Sequence, residues 1–242
     1  MSRHGGRALA DQLAIQGVEV AFCVPGESYI ALLDGLRDTA IRLITCRNEA
    51  GAANMAEAYG KLTGRPGVCI VTRGPGATHA SVGVHTAFQD STPFVLLVGQ
   101  VASDQEEREA FQEIDYRRMF GPMAKWVAQV DRPDRIPELI ARAFSTASSG
   151  RPGPVVLALP EDVLSATVDV ADAPRVRPVH PVPPAAAVAE LEQLLAAAER
   201  PLAILGGAGW TVRTSELMTE FLAANELPAG AAFRRQDTLD ND

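Results

Sequence analysis

Residues 94–98, Phe-Val-Leu-Leu-Val, form an unbroken apolar run that constrains the fold more than any other stretch of the chain. A strand of this composition has no polar side to turn to water, so both of its faces are buried. Such strands are typical of parallel sheets that carry helices on both sides. Because the chain around this run alternates apolar runs with segments of helical spacing, we predict an α/β fold with a doubly wound parallel sheet of about six strands.

The predicted strands and helices alternate along the first two thirds of the chain. The strands are predicted at 18–24, 41–46, 68–72, 94–98, 126–130 and 155–159. The helices are predicted at 7–16, 29–37, 49–63, 77–88 and 133–147. A polar segment at 103–112 interrupts this alternation.

The composition changes after the last of these strands. The prolines of segment 173–184 are Pro174, Pro178, Pro181, Pro183 and Pro184. They rule out a helix or a central strand there and favour a semi-rigid, extended linker. We therefore expect a first domain over 1–170, a proline-rich linker over 171–185, and the beginning of a second, Rossmann-like domain over 186–242.

The second domain is predicted to contain a helix at 185–198, a strand at 201–205 and a helix at 214–224. Gly207-Ala208-Gly209 follows this strand and resembles the start of a dinucleotide-binding turn. The third glycine of that pattern would fall at Val212, and no acidic residue ends a following strand. A simple turn between a strand and a helix explains these glycines better.

The charge balance excludes several kinds of partner. Lys and Arg number 22 against 30 Asp and Glu, which gives a net charge of −8, and no basic run occurs. We therefore expect neither nucleic acid nor a membrane as a partner. Residues 1–6 lack the apolar core of a signal peptide, and no stretch approaches about 18 uninterrupted apolar residues. A cytoplasmic location is the expectation.

Three cysteines, Cys23, Cys46 and Cys69, each fall in a predicted strand. Their number is odd, and they lack the close pairs that zinc sites use. We expect buried free thiols and no metal site in this chain.

Glu49 is the residue that we expect to carry chemistry. It follows the second predicted strand and opens a helix with Asn48 near its cap. In an open α/β sheet, ligands bind where strands end at their carboxyl edge. Residues 50–53 leave the first helical turn almost bare, and Gly74-Pro75-Gly76 forms a second bare turn after the next strand. This arrangement predicts a cleft for a planar ligand and an apolar setting for the carboxyl group; the alternative is a glutamate that only caps its helix.

Five motifs occur in order along the chain. They are Arg47-Asn48-Glu49-Ala50-Gly51-Ala52-Ala53, Arg73-Gly74-Pro75-Gly76-Ala77-Thr78, Gly99-Gln100-Val101, Phe111-Gln112-Glu113-Ile114-Asp115 and Ser149-Gly150-Arg151-Pro152-Gly153-Pro154-Val155. In this order and spacing they closely resemble the acetolactate synthase-like family of thiamine-diphosphate-dependent enzymes, over nearly the whole chain. The resemblance implies a pyrimidine-binding thiamine-diphosphate domain, followed by an incomplete central domain. It also implies an enzyme that decarboxylates 2-oxo acids and joins the remaining carbon unit to a second carbonyl, with pyruvate as the family's commonest donor.

The resemblance also implies roles for particular residues. Glu49 matches the family's glutamate, which bonds N1′ of the cofactor's aminopyrimidine and promotes the imino form that removes the thiazolium C2 proton. The cofactor-binding candidates are Pro25, Gly26, Glu49, Thr72, Gly74, Pro75, Gly76 and His79. The substrate-binding candidates are Glu27, Phe111 and Gln112. For Phe111, packing of an amphipathic loop is an equal alternative.

Three residues depart from the family pattern. Glu27 and Glu161 stand where the family usually has glycine and lysine, and His79 stands where it usually has asparagine. Extra carboxylates near the donor site would repel a 2-oxo carboxylate. Pyruvate is therefore an open assignment, whereas thiamine diphosphate is not affected.

The rest of the resemblance concerns what lies outside this chain. The family builds its site between two chains and holds the diphosphate and Mg²⁺ on a separate domain marked by Gly-Asp-Gly, a motif that does not occur here. We expect a homodimer or homotetramer, Mg²⁺ held by a missing C-terminal domain, and an inactive fragment when this chain is alone. The alternative is a non-catalytic cofactor-binding and dimerisation subunit of a split enzyme. Some family members bind FAD across the central domain, but too little of that domain is present to support FAD here.

Overall fold

A computed structural model describes residues 2–179 and 181–240 of the chain. The chain divides into two compact units, residues 1–179 and 180–242, and the division falls within the predicted linker. The described residues of 171–184 form neither helix nor strand, as the prolines predict.

Unit 1 alternates strands and helices. Its strands are β1 (Arg3–His4), β2 (Val20–Cys23), β3 (Arg42–Thr45), β4 (Gly67–Val71), β5 (Phe94–Gln100), β6 (Trp126–Gln129), β7 (Pro154–Pro160) and β8 (Thr167–Val168). Its helices are α1 (Gly5–Ile15), α2 (Ile30–Leu36), α3 (Glu49–Thr63), α4 (Pro75–Asp90), α5 (Tyr116–Phe120), α6 (Ile136–Ser148) and α7 (Glu161–Ser165). A 3-10 turn at Glu27–Tyr29 precedes α2.

Six strands form one parallel sheet in the order β3-β2-β4-β5-β7-β6, which confirms the predicted α/β fold. Every residue of β4, β5 and β7 is buried, because helices cover both faces of the sheet. Alternate residues of β4 show this division: Val68 and Ile70 pack with α1, α2 and α6, whereas Cys69 and Val71 pack with α3, α4 and α5.

Small residues let α3 and α4 approach their neighbours closely. A Cβ atom on Gly83 of α4 would lie 2.5 Å from the Cβ of Ala53 on α3. A Cβ atom on Gly67 of β4 would lie 1.8 Å from the backbone oxygen of Ala56 on α3. Gly83 and Gly67 are thus required by packing within the chain itself.

The structure corrects three details of the sequence prediction. β3 ends at Thr45, so Cys46 lies just beyond the strand and is only half-buried, whereas Cys23 and Cys69 are buried as predicted. Helix α5 was not predicted, because five residues are too short to show a helical period. The antiparallel pair of β1 with β8 was also missed, because each strand has only two residues.

Unit 2 contains α8 (Ala185–Ala197), β9 (Ala203–Leu205), α9 (Val212–Ala224) and β10 (Ala229–Ala231). Strands β9 and β10 pair in parallel. Gly207 and Gly209 adopt left-handed φ values of 78° and 90° in the turn after β9, a conformation that favours glycine. Over the two described ranges, no helix is long and apolar enough to cross a membrane.

Candidate active site

All of the predicted site residues lie at or just beyond the carboxyl edge of the parallel sheet. Strands β2, β4 and β5 run in the same direction, so the segments that follow them meet at this edge. Residues 24–29 follow β2, residues 72–76 follow β4, and residues 101–115 follow β5. Glu49 joins them from the start of α3, after β3.

Local backbone chemistry fixes the position of Glu49. Asn48 is extended, with φ −151°, and its side chain accepts a hydrogen bond from the backbone nitrogen of Ala50 at 2.8 Å. This cap makes Glu49 the first residue of α3. Its side chain is 14% exposed, and its Oε2 accepts a hydrogen bond from Nδ1 of His79 on α4 at 3.0 Å. The carboxylate therefore has a polar partner in addition to the apolar setting that the alanines predicted.

The turn after β4 lies directly beside this carboxylate. A Cβ atom on Gly76 would lie 3.6 Å from Oε1 of Glu49 and 2.9 Å from Cγ2 of Thr72. A Cβ atom on Gly26 would lie 2.6 Å from the Cβ of Thr72. Thr72 thus joins the turn after β2 to the turn after β4, and both turns need glycine to come this close.

A buried serine, Ser28, locks these turns together and was missed by the sequence analysis. Its Oγ lies 2.8 Å from Oγ1 of Thr72 and accepts the backbone N–H of Arg73 at 3.4 Å. A Cβ atom on Gly99 of β5 would lie 1.9 Å from the same Oγ. Tyr29 adds a hydrogen bond from its hydroxyl to the backbone oxygen of Val24 at 2.5 Å. These hydrogen bonds tie the turn after β2 to the turn after β4.

Arg73 was also missed, and it lies between the two unexpected acids. Its side chain is 9% exposed; Nη1 donates to Oε2 of Glu161 at 3.0 Å, and Nη2 lies 3.5 Å from Oε1 of Glu27. The predicted repulsion of a 2-oxo carboxylate is therefore weaker than expected, because both acids share a cation. Two acids that lie close together, such as Glu27 and Glu161, need a cation beside them. This requirement is the feature of the sequence that would have pointed to Arg73.

The segment after β5 carries the substrate candidates. The backbone oxygen of Phe111 accepts a hydrogen bond from Nε of Arg73 at 3.1 Å, whereas its ring is 72% exposed. The alternative that Phe111 packs an amphipathic loop is therefore wrong. Gln112 adopts a left-handed φ of 65° and contacts the turn after β4, where a Cβ atom on Gly74 would lie 2.7 Å from its Cβ.

Tyr116, a third residue that sequence reasoning missed, ties this segment to the sheet. Its hydroxyl accepts the backbone N–H of Gly74 at 3.1 Å and donates to the backbone oxygen of Gly99 at 3.4 Å. Burial raises the pKa of Tyr116 to about 12. The phenol therefore stays protonated and holds both bonds.

The predicted site residues, together with Arg73, lie on two sides of this edge. We call the first the Glu49 side; it consists of Gly26, Glu49, Thr72, Gly76 and His79. We call the second the Arg73 side; it consists of Glu27, Arg73, Phe111, Gln112 and Glu161. Pro25 is exposed, and Pro75 is the first residue of α4, so these two prolines shape the turns without a polar contact. Among the described residues, no hydrogen bond joins the Glu49 carboxylate to the Arg73 side.

Comparison with known proteins identifies the family of this chain. Residues 3–119 match the family model described as "Thiamine pyrophosphate enzyme, N-terminal TPP binding domain". The chain belongs to this family of thiamine-pyrophosphate enzymes, as the resemblance predicted.

The curated relatives extend the match over the whole chain. The chain is 34% identical to the "Acetolactate synthase isozyme 2 large subunit" of Escherichia coli (strain K12), over 99% of the chain and 44% of that protein. It is 31% identical to the "Acetolactate synthase" of Bacillus subtilis (strain 168), over 100% of the chain and 43% of that protein. It is also 39% identical to the "Probable 2-ketoarginine decarboxylase AruI" of Pseudomonas aeruginosa, over 84% of the chain and 37% of that protein. The chain spans less than half the length of each of these three relatives.

The Glu49 side fits the aminopyrimidine part of thiamine diphosphate. A carboxylate that bonds the ring must have an oxygen free to do so, and among the described residues the hydrogen bond to Glu49 reaches Oε2, not Oε1. Oε1 faces Gly76, whose missing side chain leaves room beside it. Gly51, two residues along α3, has nothing beyond its chain neighbours and the backbone of its own helix within 4 Å of where its Cβ would be, so a flat ring or another backbone can approach there.

Proposed function

We propose that this chain is the pyrimidine-binding part of an acetolactate synthase-like enzyme, a lyase or transferase that decarboxylates a 2-oxo acid and joins the remaining carbon unit to a second carbonyl. One observation carries the proposal: Glu49 begins α3 with its Oε1 beside the bare turn at Gly76. Membership of the thiamine-pyrophosphate family supports it.

When bound, thiamine diphosphate supplies a carbon nucleophile and an electron sink for decarboxylation. The role of this chain is to hold the pyrimidine ring and to move a proton at its N1′. Glu49 would exchange that proton with N1′ through Oε1, giving it to the ring when the imino form is made, while His79 holds Oε2 and so keeps the carboxyl group oriented. Thr72, Gly74, Pro75 and Gly76, with Pro25 and Gly26, would form the wall against which the ring lies.

The test uses the complete protein that carries this chain, with thiamine diphosphate and Mg²⁺ added. We expect release of CO₂ from at least one member of a panel of 2-oxo acids that includes pyruvate and 2-oxo-5-guanidinopentanoate. The Glu49→Gln variant should lose this activity. Glu57→Gln is the matched control, because Glu57 lies on the same helix and a glutamine oxygen can still accept the hydrogen bond that Thr92 donates at 2.8 Å. Tight cofactor binding without turnover of any substrate would instead support the non-catalytic subunit.

The names of the relatives, as acetolactate synthases and as a 2-ketoarginine decarboxylase, support 2-oxo acids as the substrate class. We assign this chain to a 2-oxo acid enzyme, with Glu27, Phe111 and Gln112 as the residues on the substrate side. Mg²⁺ and the diphosphate would be held by residues outside this chain. A cytoplasmic location stays a prediction.

We also propose that the chain by itself neither binds the cofactor measurably nor turns over a 2-oxo acid. These residues offer the cofactor a few hydrogen bonds, each worth about 1 kcal/mol net. The diphosphate gains most of its binding free energy from metal and helix-terminus contacts, which the proposal assigns to residues outside this chain. Calorimetric titration of the chain with thiamine diphosphate and Mg²⁺ tests this, and a micromolar Kd would contradict it.

A homodimer or homotetramer is proposed through the outer faces of α3 and α4. Met55 on α3 and Val82 on α4 are half-exposed apolar residues, although the small residues of both helices already pack within the chain. Sedimentation of the complete protein at micromolar concentration should show at least a dimer. A monomer under these conditions would contradict the interface.

A further inference from the structure

Arg73 makes an unusual set of contacts for a residue in a glycine-rich turn. Its guanidinium is almost fully buried, and it donates to the Phe111 backbone oxygen from Nε and to the Glu161 carboxylate from Nη1. These two partners follow β5 and β7, whereas Arg73 follows β4. One side chain therefore joins three segments at the edge of the sheet.

The two acids beside Arg73 are not equivalent. Glu161 is 45% exposed and forms a hydrogen bond of 3.0 Å, whereas Glu27 is 78% exposed and lies 3.5 Å away. Glu161 is thus the fixed counter-charge that holds the guanidinium in place. Glu27 stays largely in water.

The segment that Arg73 contacts has a backbone conformation that needs stabilising contacts from other parts of the chain. Glu107, Glu109 and Gln112 adopt left-handed φ values of 59°, 54° and 65°, which cost free energy in residues other than glycine. Part of the shape is internal, because the Glu113 carboxylate accepts the backbone N–H groups of Glu107 and Ala110 at 2.7 and 3.2 Å. The hydrogen bond from Arg73 reaches this segment at Phe111. The next residue, Gln112, is where the segment contacts the Gly74 turn.

We propose that Arg73 is a positioning residue, which holds Phe111 and Gln112 against the Gly74 turn and thereby sets the substrate side of the site. The part of this inference that concerns substrate rests on the proposed function. Arginine is required because its planar fork can donate to a carboxylate and to a carbonyl oxygen in fixed directions at once. A lysine keeps the charge but has no such fork.

Hydrogen–deuterium exchange of the complete protein tests the positioning directly. In the Arg73→Lys variant, amides of residues 110–114 should exchange at least about tenfold faster than in the wild type. The reason is that the hydrogen bond from Arg73 to Phe111, which opposes opening of this segment, is lost. The matched control is Arg65→Lys, which makes the same chemical change in the exposed pair of Arg65 with Glu19, at 2.6 and 3.2 Å. Unchanged exchange of 110–114 in Arg73→Lys would overturn the inference.

Glu161→Gln keeps the test decisive if Arg73→Lys does not fold. This variant removes the counter-charge but leaves the buried arginine in place, so residues 110–114 should again exchange faster, by a smaller factor. If the variant folds and exchange of this segment equals that of the wild type, the inference is wrong.

Kinetics separate positioning from a merely structural role. Arg73→Lys should raise KM for the 2-oxo acid by about tenfold while the exchange rate of the cofactor's C2 proton stays within about twofold, because that proton depends on the Glu49 side. An unchanged KM would overturn the assignment to the substrate side. If the wild type turns over no 2-oxo acid, the proposed function fails, and the amide exchange still decides whether Arg73 positions the segment.

Discussion

The turns beside Glu49 contain glycines at their closest contacts. At Arg73, in contrast, a charged side chain fills the space between the turns. On the Glu49 side, Gly26 and Gly76 approach Thr72 so closely that any side chain on them would collide with it. On the Arg73 side, one buried guanidinium bridges a carbonyl oxygen and two carboxylates. The comparison shows that the same sheet edge leaves space for a ring at one end and fixes a segment by charge at the other.

The first prediction fills the space on the Glu49 side. In the complete protein, Gly76→Val should weaken binding of thiamine diphosphate by about 100-fold, because overpacking of this order typically costs 1 to 3 kcal/mol. The new atoms would meet Cγ2 of Thr72 and Oε1 of Glu49. Calorimetric titration with cofactor and Mg²⁺ measures the change.

Gly121→Ala is the control for this substitution. A Cβ atom on Gly121 would have nothing beyond its chain neighbours within 4 Å, and the residue is exposed in a 3-10 turn. Its cofactor affinity should equal that of the wild type. Equal affinities for both variants would show that the ring does not lie against Gly76.

The second prediction compares the reactivity of the three cysteine thiols, of which one lies at the edge of the sheet and two lie in its core. Burial raises the pKa of Cys23 and of Cys69, so at pH 8 fewer of these thiols are in the reactive thiolate form. Cys46 is only half-buried, where β3 leads into Glu49. A thiol reagent should modify Cys46 at least about tenfold faster than the other two, as measured by mass spectrometry of the native protein. Equal rates would contradict the burial of the central strands.

The third prediction concerns the hydrogen bond of His79 with Glu49. His79 is 55% exposed, so its loss should slow C2 proton exchange of the bound cofactor only about threefold, as expected for one exposed hydrogen bond. His79→Asn should restore much of the rate that His79→Ala loses, because an amide can also donate to Oε2. A loss in His79→Ala as large as that in Glu49→Gln would assign the proton transfer to the histidine.

A structural feature could be predicted from the sequence when adjacent residues determine it, and could not when it depends on contacts between distant segments. The buried strands β4, β5 and β7 were predicted because an apolar run reports burial of its own residues. The cap at Asn48 and the turn at Gly76 were also predicted from adjacent residues. Contacts between distant segments were not predicted. Glu27, Arg73 and Glu161 meet only after the four strands β2, β4, β5 and β7 have paired, and the partner of Glu49 depends on how α3 packs against α4.

The central claim is that Glu49 moves the proton at the pyrimidine ring, and C2 hydrogen–deuterium exchange of cofactor bound to the complete protein tests it most directly. Glu49→Gln keeps the volume of the side chain but cannot exchange a proton with N1′. We predict that NMR will show exchange slowed by about 100-fold or more, while Glu57→Gln exchanges like the wild type. If Glu49→Gln binds the cofactor and exchanges its C2 proton at the wild-type rate, Glu49 has no part in the chemistry and the account is wrong.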